Sequence, residues 1–207
     1  MKLAVLVGGS GRHAAVLLEA ASLSGLVVAG FIPIEKDVVL RGTDYPKLGG
    51  MELLENEAFL RNHRCAIGCG DNRLRQAVAE KLRAQGGLLQ TIVHAQAVVS
   101  PSAEIGPGCA ILAGAIVGPY ARLGRGVIVN HGASVDHDCV IGDYANLCPG
   151  ARLGGTVRIG ERAFLGLNAC ILQGRMIGND AIVGAGAVAT KDVMPHVTVV
   201  GVPARPR

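Results

Sequence analysis

Six histidines punctuate the chain, and one of them, His137, stands between two carboxylates in Asp136-His137-Asp138. An imidazole titrates near pH 6.5, so it can take up a proton at neutral pH. A carboxylate that accepts its ring N–H fixes the tautomer and raises its basicity, and Asp138 is placed for that role. A second chemical signal lies near the N-terminus, where Gly8-Gly9-Ser10-Gly11 precedes a helical pattern. Backbone N–H groups at a helix start, freed of side chains, suit a diphosphate. The glycines do not complete a G-x-G-x-x-G fingerprint, and no acidic residue follows at the expected distance. A nicotinamide-dependent oxidoreductase is therefore the weaker use of this turn. Six cysteines (Cys65, Cys69, Cys109, Cys139, Cys148, Cys170) have no paired C-x-x-C spacing and read as small buried residues.

These residues need elements to hold them, and the chain divides at about residue 95. In the first part, Leu3 to Val7 is a short apolar run typical of a buried parallel strand. Val16, Leu17, Ala20 and Leu23 then recur at helical spacing until Gly25. Leu26 to Ile32 reads as a second strand, Met51 to Leu60 as a helix, and Cys65 to Cys69 as a third strand. Asp71 can cap a helix with Leu74, Ala77, Val78 and Leu82 on its apolar face, stopped by Gly86-Gly87. Strand and helix in alternation give a small α/β, Rossmann-like unit over 1–94.

The second part, 95–207, has another order. Every sixth residue from Val99 to Val183 is Val, Ile or Leu. The residue two before each is usually Ala, as at Ala115, Ala121 and Ala133, and the residue after is often Gly, as at Gly106, Gly118 and Gly124. A six-residue period is neither helical nor that of a plain strand. Short strands joined by tight turns produce it: aliphatics point inward, the small residue lets the coil close, and Gly is expected to take the turn's unusual backbone angles. A narrow prism of this kind has little room for rings, which accounts for an aromatic content of 3% and no Trp.

The repeat resembles the hexapeptide-repeat acyltransferases, left-handed parallel β-helices with three hexapeptides per 18-residue coil. The segments GGSGRHAAVLLEA, AIGCGDNRLRQ, IVHAQAVVSPSAEIG, VNHGASVDHDCVIGD, RIGERAFLGLNACILQG and GVPARP extend the resemblance over nearly the whole chain. Together they are similar to the sialic acid O-acetyltransferase family, sugar O- and N-acyltransferases that include enzymes acting on nucleotide-linked 4-amino sugars. The resemblance implies acetyl-CoA as co-substrate, with no metal. It implies a nucleotide-activated amino sugar (UDP- or GDP-linked) for surface glycans as acceptor, and a homotrimer with the coenzyme between neighbouring β-helices. O-acetylation of a sialic-acid-like sugar uses the same base. A non-catalytic trimeric scaffold is the reading from another class, since fold does not prove chemistry.

With 18-residue coils, His137 looks onto Gly154-Gly155, a shelf without side chains where an N–H of Gly155 could face an oxyanion. His137, Asp138 and Gly155 are thus the catalytic candidates. A zinc site needs converging imidazoles; His131 and His137 lie six apart, on adjacent faces, with no histidine 18 from either. The family's coenzyme positions match Asn146, Leu167 and Ala185. Its nucleotide-contacting positions match Gly11, Arg12 and His13, with Ser10 sharing the role in a turn one residue longer, and Gly70. Relatives carry Asp after the second strand; here Pro33 and Ile34 stand there, with Glu35 as the available substitute. His94 is expected to bridge the two parts. Arg122, Arg125, Arg152, Arg158 and Arg162 are expected to form a solvated outer face.

The net charge of +4 is mild, and without a basic cluster or stacking aromatics nucleic acid is excluded as partner. No apolar run reaches the roughly 20 residues of a membrane span. The apolar stretch after Met1 is short for a signal peptide, so a cytoplasmic location is expected.

Overall fold

A computed structural model describes the chain except residues 10, 36, 37, 39 and 41–43. The described residues form two compact units, Met1–Ala95 and Gln96–Arg207.

In the first unit β1 (Lys2–Val7), β2 (Val28–Pro33) and β3 (His63–Gly68) make a parallel sheet of order β2-β1-β3. Leu3 to Val7 are all buried, as a central strand covered on both faces requires. Helix α1 (Arg12–Leu23) follows β1 and buries Ala14, Leu17, Leu18, Ala20 and Ala21, while Leu23 stays exposed. It ends in a Schellman motif: Gly25 is left-handed, its N–H bonds Ser22 O, and Leu26 N–H reaches Ala21 O. The helix expected over Met51–Leu60 is broken in two, a 3-10 turn at Met51–Glu55 and α2 (Glu57–Asn62). Asn56 interrupts it, because its side chain caps Phe59 N–H and starts a new helix. Helix α3 (Asn72–Ala84) is capped by Asp71, whose carboxylate accepts from Leu74 N–H at 2.7 Å. Its buried face is Arg75, Val78, Ala79 and Leu82; Val78 and Leu82 are buried as expected, while Leu74 is half-buried and Ala77 exposed.

The second unit is a parallel β-helix. Two-residue strands stack with partners 18 apart: Ile128 pairs Asn146, Ser134 pairs Arg152 and Val140 pairs Arg158. Three sheets result, one per face of the prism, parallel throughout except that Arg205–Pro206 pairs antiparallel with Thr198–Val200 at the end of one of them. From Val98–Val99 to Val188–Ala189 the second residue of each strand points inward; Val129, Val135, Ile141, Leu147 and Leu153 are at most 3% exposed. Burial of each contributes about 1.5–3 kcal/mol. The Ala column (Ala115, Ala121, Ala133, Ala145, Ala151) is wholly buried beside them.

The glycines have a different role from the one expected. Gly118, Gly124, Gly142, Gly154, Gly160 and Gly166 lie outside the left-handed region, and a Cβ on any of them would strike the turn of the next coil. At Gly142 that Cβ would lie 2.6 Å from Glu161 N. They are glycines because successive coils stack too closely for a side chain. The left-handed residue comes two positions later in the turn; it is Tyr120, Asp138, Tyr144, Thr156, Arg162, Asn168 and Asp180 in some turns and a glycine, such as Gly132 or Gly150, in others. A non-glycine there costs about 1–2 kcal/mol, which the stacked coils offset.

Candidate functional site

The turn after Val135 builds the first constellation. Asp136 Oδ1 accepts from His137 N–H at 2.7 Å, and His137 O accepts from Thr156 N–H of the next coil at 2.9 Å. The backbone of His137 is therefore fixed from both sides. Asp138 holds the left-handed position, φ 58°, a conformation that Asp tolerates better than most residues. That reversal brings its Oδ2 to 2.8 Å from His137 Nδ1. An ionised carboxylate only accepts, so Nδ1 carries the hydrogen and Nε2 presents its lone pair. The bond to Asp138 is the main cause that raises the imidazole above its ordinary pKa; desolvation opposes it, and the charges of Asp136 and Asp138 add to it. Nε2 faces Gly155, where a Cβ would lie against Nε2 itself and 2.6 Å from Cε1. His137, Asp138 and Gly155 are thus brought together, with the ring's other edge open: the side chain is 55% exposed.

The carbonyl of Gly154 accepts from the Cys139 thiol, 3.2 Å away inside the prism. Because a trans peptide sends its N–H opposite to its C=O, the Gly155 N–H is directed away from the prism interior.

Leu167 and Ala185 occupy one turn column: Gly186 N–H bonds Leu167 O, and both side chains are exposed. Asn146 lies apart from them, on the strand Asn146–Leu147, between Ile128 and Phe164 in register, and is buried at 6% exposure. Of the arginines expected on a solvated face, Arg162 departs from that expectation. Its Nε and Nη2 form a two-pronged pair with Asp180 at 3.0 and 2.8 Å, and its side chain is 19% exposed. Among the described residues no group of three or more His, Cys, Asp and Glu could hold a metal ion. Five cysteines are buried and Cys170 is half-buried; burial pushes Cys65 to about 12 and Cys148 to about 11.

The first unit carries the second constellation, at the carboxyl ends of its strands. Connections from β1 and β3 leave the sheet at the point where strand order reverses, where open α/β sheets hold ligands. Gly11 caps α1 in the left-handed conformation, φ 72°, with no acidic residue in the helix's first turn. Arg12 is exposed and His13 half-buried at that helix start. Ser10 lies outside the described residues. Gly8 packs on the β3 turn: a Cβ there would meet Cys69 Sγ at 3.0 Å. Gly70, exposed in that turn, has open space on its Cβ side. The Glu35 carboxylate at the end of β2 accepts from Gly9 N–H at 3.1 Å. Arg75, a residue that the apolar pattern of α3 does not single out, is 1% exposed and reaches back to the Cys69 and Gly70 carbonyls. No helix among the described residues is long and apolar enough to cross a membrane.

Comparison with known proteins follows the same division. Residues 4–82 match the PglD N-terminal domain, 120–155 the bacterial transferase hexapeptide (six repeats), and 156–191 the hexapeptide repeat of succinyl-transferase. The GDP-perosamine N-acetyltransferase of Escherichia coli O157:H7 is 36% identical over 179 residues, 82% of this chain and 79% of that protein. The solved structure of PerB from Caulobacter crescentus in complex with CoA and GDP-perosamine superposes with a TM-score of 0.91 at 38% identity, covering 100% of this chain and 97% of that one. The acetyltransferase domain of PglB from Neisseria gonorrhoeae FA1090 gives 0.92 at 37% identity, covering 100% and 99%.

Proposed function

Since the chain belongs to the hexapeptide-repeat sugar N-acyltransferases, we propose that it transfers acetyl from acetyl-CoA to the 4-amino group of a GDP- or UDP-linked deoxy sugar. The observation that carries this reading is the imidazole whose Nδ1 is held by Asp138 while Nε2 faces Gly155. A free sugar amine attacks the thioester carbonyl, and its proton passes to His137 Nε2. The carbonyl oxygen becomes an oxyanion, met by the outward N–H of Gly155. The C–S bond then breaks, and the coenzyme leaves as a thiolate that is protonated to the thiol. The thiolate is a good leaving group, so direct transfer suffices without a covalent enzyme intermediate. Asp138 stabilises the imidazolium that forms.

Asn146, Leu167 and Ala185 are assigned to the coenzyme, and Gly11, Arg12, His13 and Gly70, with Ser10, to the nucleotide. Glu35 is assigned to the ribose hydroxyls, in the place where relatives carry Asp. The family resemblance supports a homotrimer.

The test is incubation with acetyl-CoA and GDP- or UDP-linked 4-amino sugars, following free thiol and the mass of the product. Thiol release with a product acetyl that resists mild alkali supports N-acetylation. An alkali-labile acetyl assigns the enzyme to O-acetylation, and no thiol release with any of these acceptors rejects the reading.

A further inference from the structure

Gly154 and Gly155 are consecutive, so the peptide between them has no side chain on either flank to restrain it. In other turns with a stacking glycine, such as Gly124-Arg125 and Gly160-Glu161, a residue with a side chain follows. The orientation of the 154–155 peptide matters, because its N–H is the donor assigned to the oxyanion. Cys139, wholly buried, donates its thiol to Gly154 O at 3.2 Å from inside the prism. Burial pushes that thiol up, so it stays protonated and able to donate; backbone N–H groups of Val157 and Asp136 reach the same sulfur and oppose the shift. The sulfur thus has partners in the turn that carries His137 as well as in the coil that carries Gly155.

The same arrangement also occurs away from the imidazole, and there it shows what the far side of such a peptide does. Cys109 donates to Gly124 O at 3.0 Å. The 124–125 peptide is trans, and its N–H, on the side opposite the thiol, donates to Asp143 Oδ1 at 2.8 Å. Glu161 N–H likewise donates to Asn179 Oδ1 at 3.0 Å. In both cases the oxygen comes from a short side chain 18 residues on. For Gly155 the residue 18 on is Gln173, longer by a methylene. An inward carbonyl held by a thiol therefore sets the next N–H to hold an anionic oxygen outside the prism.

We propose that Cys139 is a positioning residue for acyl transfer: its inward thiol fixes the Gly154–Gly155 peptide so that the Gly155 N–H meets the reacting oxyanion as Arg125 N–H meets Asp143 Oδ1. This rests on the reading of the chain as an acetyltransferase that uses His137 over Gly155.

The test compares wild type, Cys139→Val, Cys139→Ser and Cys109→Val as full chains, by rates of thiol release, calorimetry with CoA, and thermal melts. Val127 and Val157 hold the same place in other coils, two residues before an inward aliphatic, so valine suits the fold there. Removing an oxyanion donor outright costs about 10²–10³-fold, and a donor left in place but untethered is expected to cost kcat about five- to ten-fold in Cys139→Val. KM for both substrates and the affinity for CoA should stay within about two-fold, since the loss falls on the transition state. Cys139→Ser keeps a hydroxyl donor and should hold kcat within about two-fold of wild type. Cys109→Val loses the same bond outside the site and should keep kcat within about two-fold, whatever its effect on the melting temperature. Should Cys139→Val not fold, Cys139→Ala, the residue type at 133 and 145, replaces it. Full kcat in a folded variant without the thiol, equal kcat losses at Cys139 and Cys109, or a loss that Cys139→Ser does not restore, overturns the proposal. A wild-type chain that releases no thiol with any GDP- or UDP-linked 4-amino sugar rejects the proposed function itself, and the role of Cys139 falls with it.

Discussion

Replacing Gly155 with alanine tests the catalytic geometry at its tightest point. The added methyl would lie against His137 Nε2, 2.6 Å from Cε1 and 3.1 Å from Cδ2, where ordinary contact begins near 3.4 Å. The ring must retreat by roughly 1 Å, which stretches the 2.8 Å bond from Nδ1 to Asp138 beyond hydrogen-bonding range. A misplacement of that size costs about 10²-fold in rate, or about 2.7 kcal/mol of transition-state stabilisation. The backbone bears no strain, because Gly155 is not left-handed, and the displaced ring is already 55% exposed. The melting temperature should therefore stay within about 2 °C. Thiol release from acetyl-CoA at saturating sugar nucleotide measures kcat. In a His137→Ala background the methyl has no ring to displace, so Gly155→Ala should there cost less than about three-fold, a strongly non-additive cycle. A Gly155→Ala enzyme with more than half the wild-type kcat, or losses that simply multiply, would refute the assignment of Nε2 as the proton acceptor over this shelf.

Other substitutions probe the remaining parts. The reaction needs neutral His137, so the rate climbs as pH rises through its pKa, which the Asp138 bond holds above the ordinary imidazole value. Asp138→Asn removes that support, and the acid limb of kcat/KM should move to lower pH while the plateau falls; an unmoved limb assigns the titration to another group. Asp180→Asn breaks a two-pronged pair with Arg162 in which Asp180 is only 10% exposed. It should cost about 2 kcal/mol of stability by denaturant melts with kcat unchanged. Two glycines separate steric from conformational demand. Gly142→Ala pushes a methyl into Glu161 backbone and should cost about 3 kcal/mol, whereas Gly132→Ala, left-handed with open space, should cost about 1 kcal/mol. Equal losses at the two positions would contradict the stacking account.

The period of six made the β-helix legible, because inward aliphatics are set by position and not by context. The His137–Asp138 pairing followed from their adjacency in sequence, and the Gly155 shelf from the 18-residue coil that the family resemblance supplied. The role of Gly118, Gly142 and Gly160 was not legible, since a sequence does not distinguish a glycine needed for its φ from one needed because another coil passes overhead. Arg75 was missed for a related reason: a charged residue in a helix reads as solvated, and only the fold shows it turned back under the preceding turn. The acid at Glu35 lies just past Pro33 and Ile34, the places where relatives carry Asp, and its bond to Gly9 ties it to the glycine turn. Helices α2 and α3 differ in detail from their apolar patterns because short segments have too few turns for periodicity to settle a face.

The offset of 18 between stacked strands, kept from Val98 to Ala189, has a bearing on how this scaffold can change in length. Inserting six residues between Val135 and Leu153 would rotate the glycine pair onto a neighbouring side of the prism and disconnect it from the imidazole. Inserting a whole coil elsewhere would leave both in place. Residues 135–156 therefore behave as a transplantable cassette: moved up or down the stack by entire coils, they should carry their proton-transfer geometry with them.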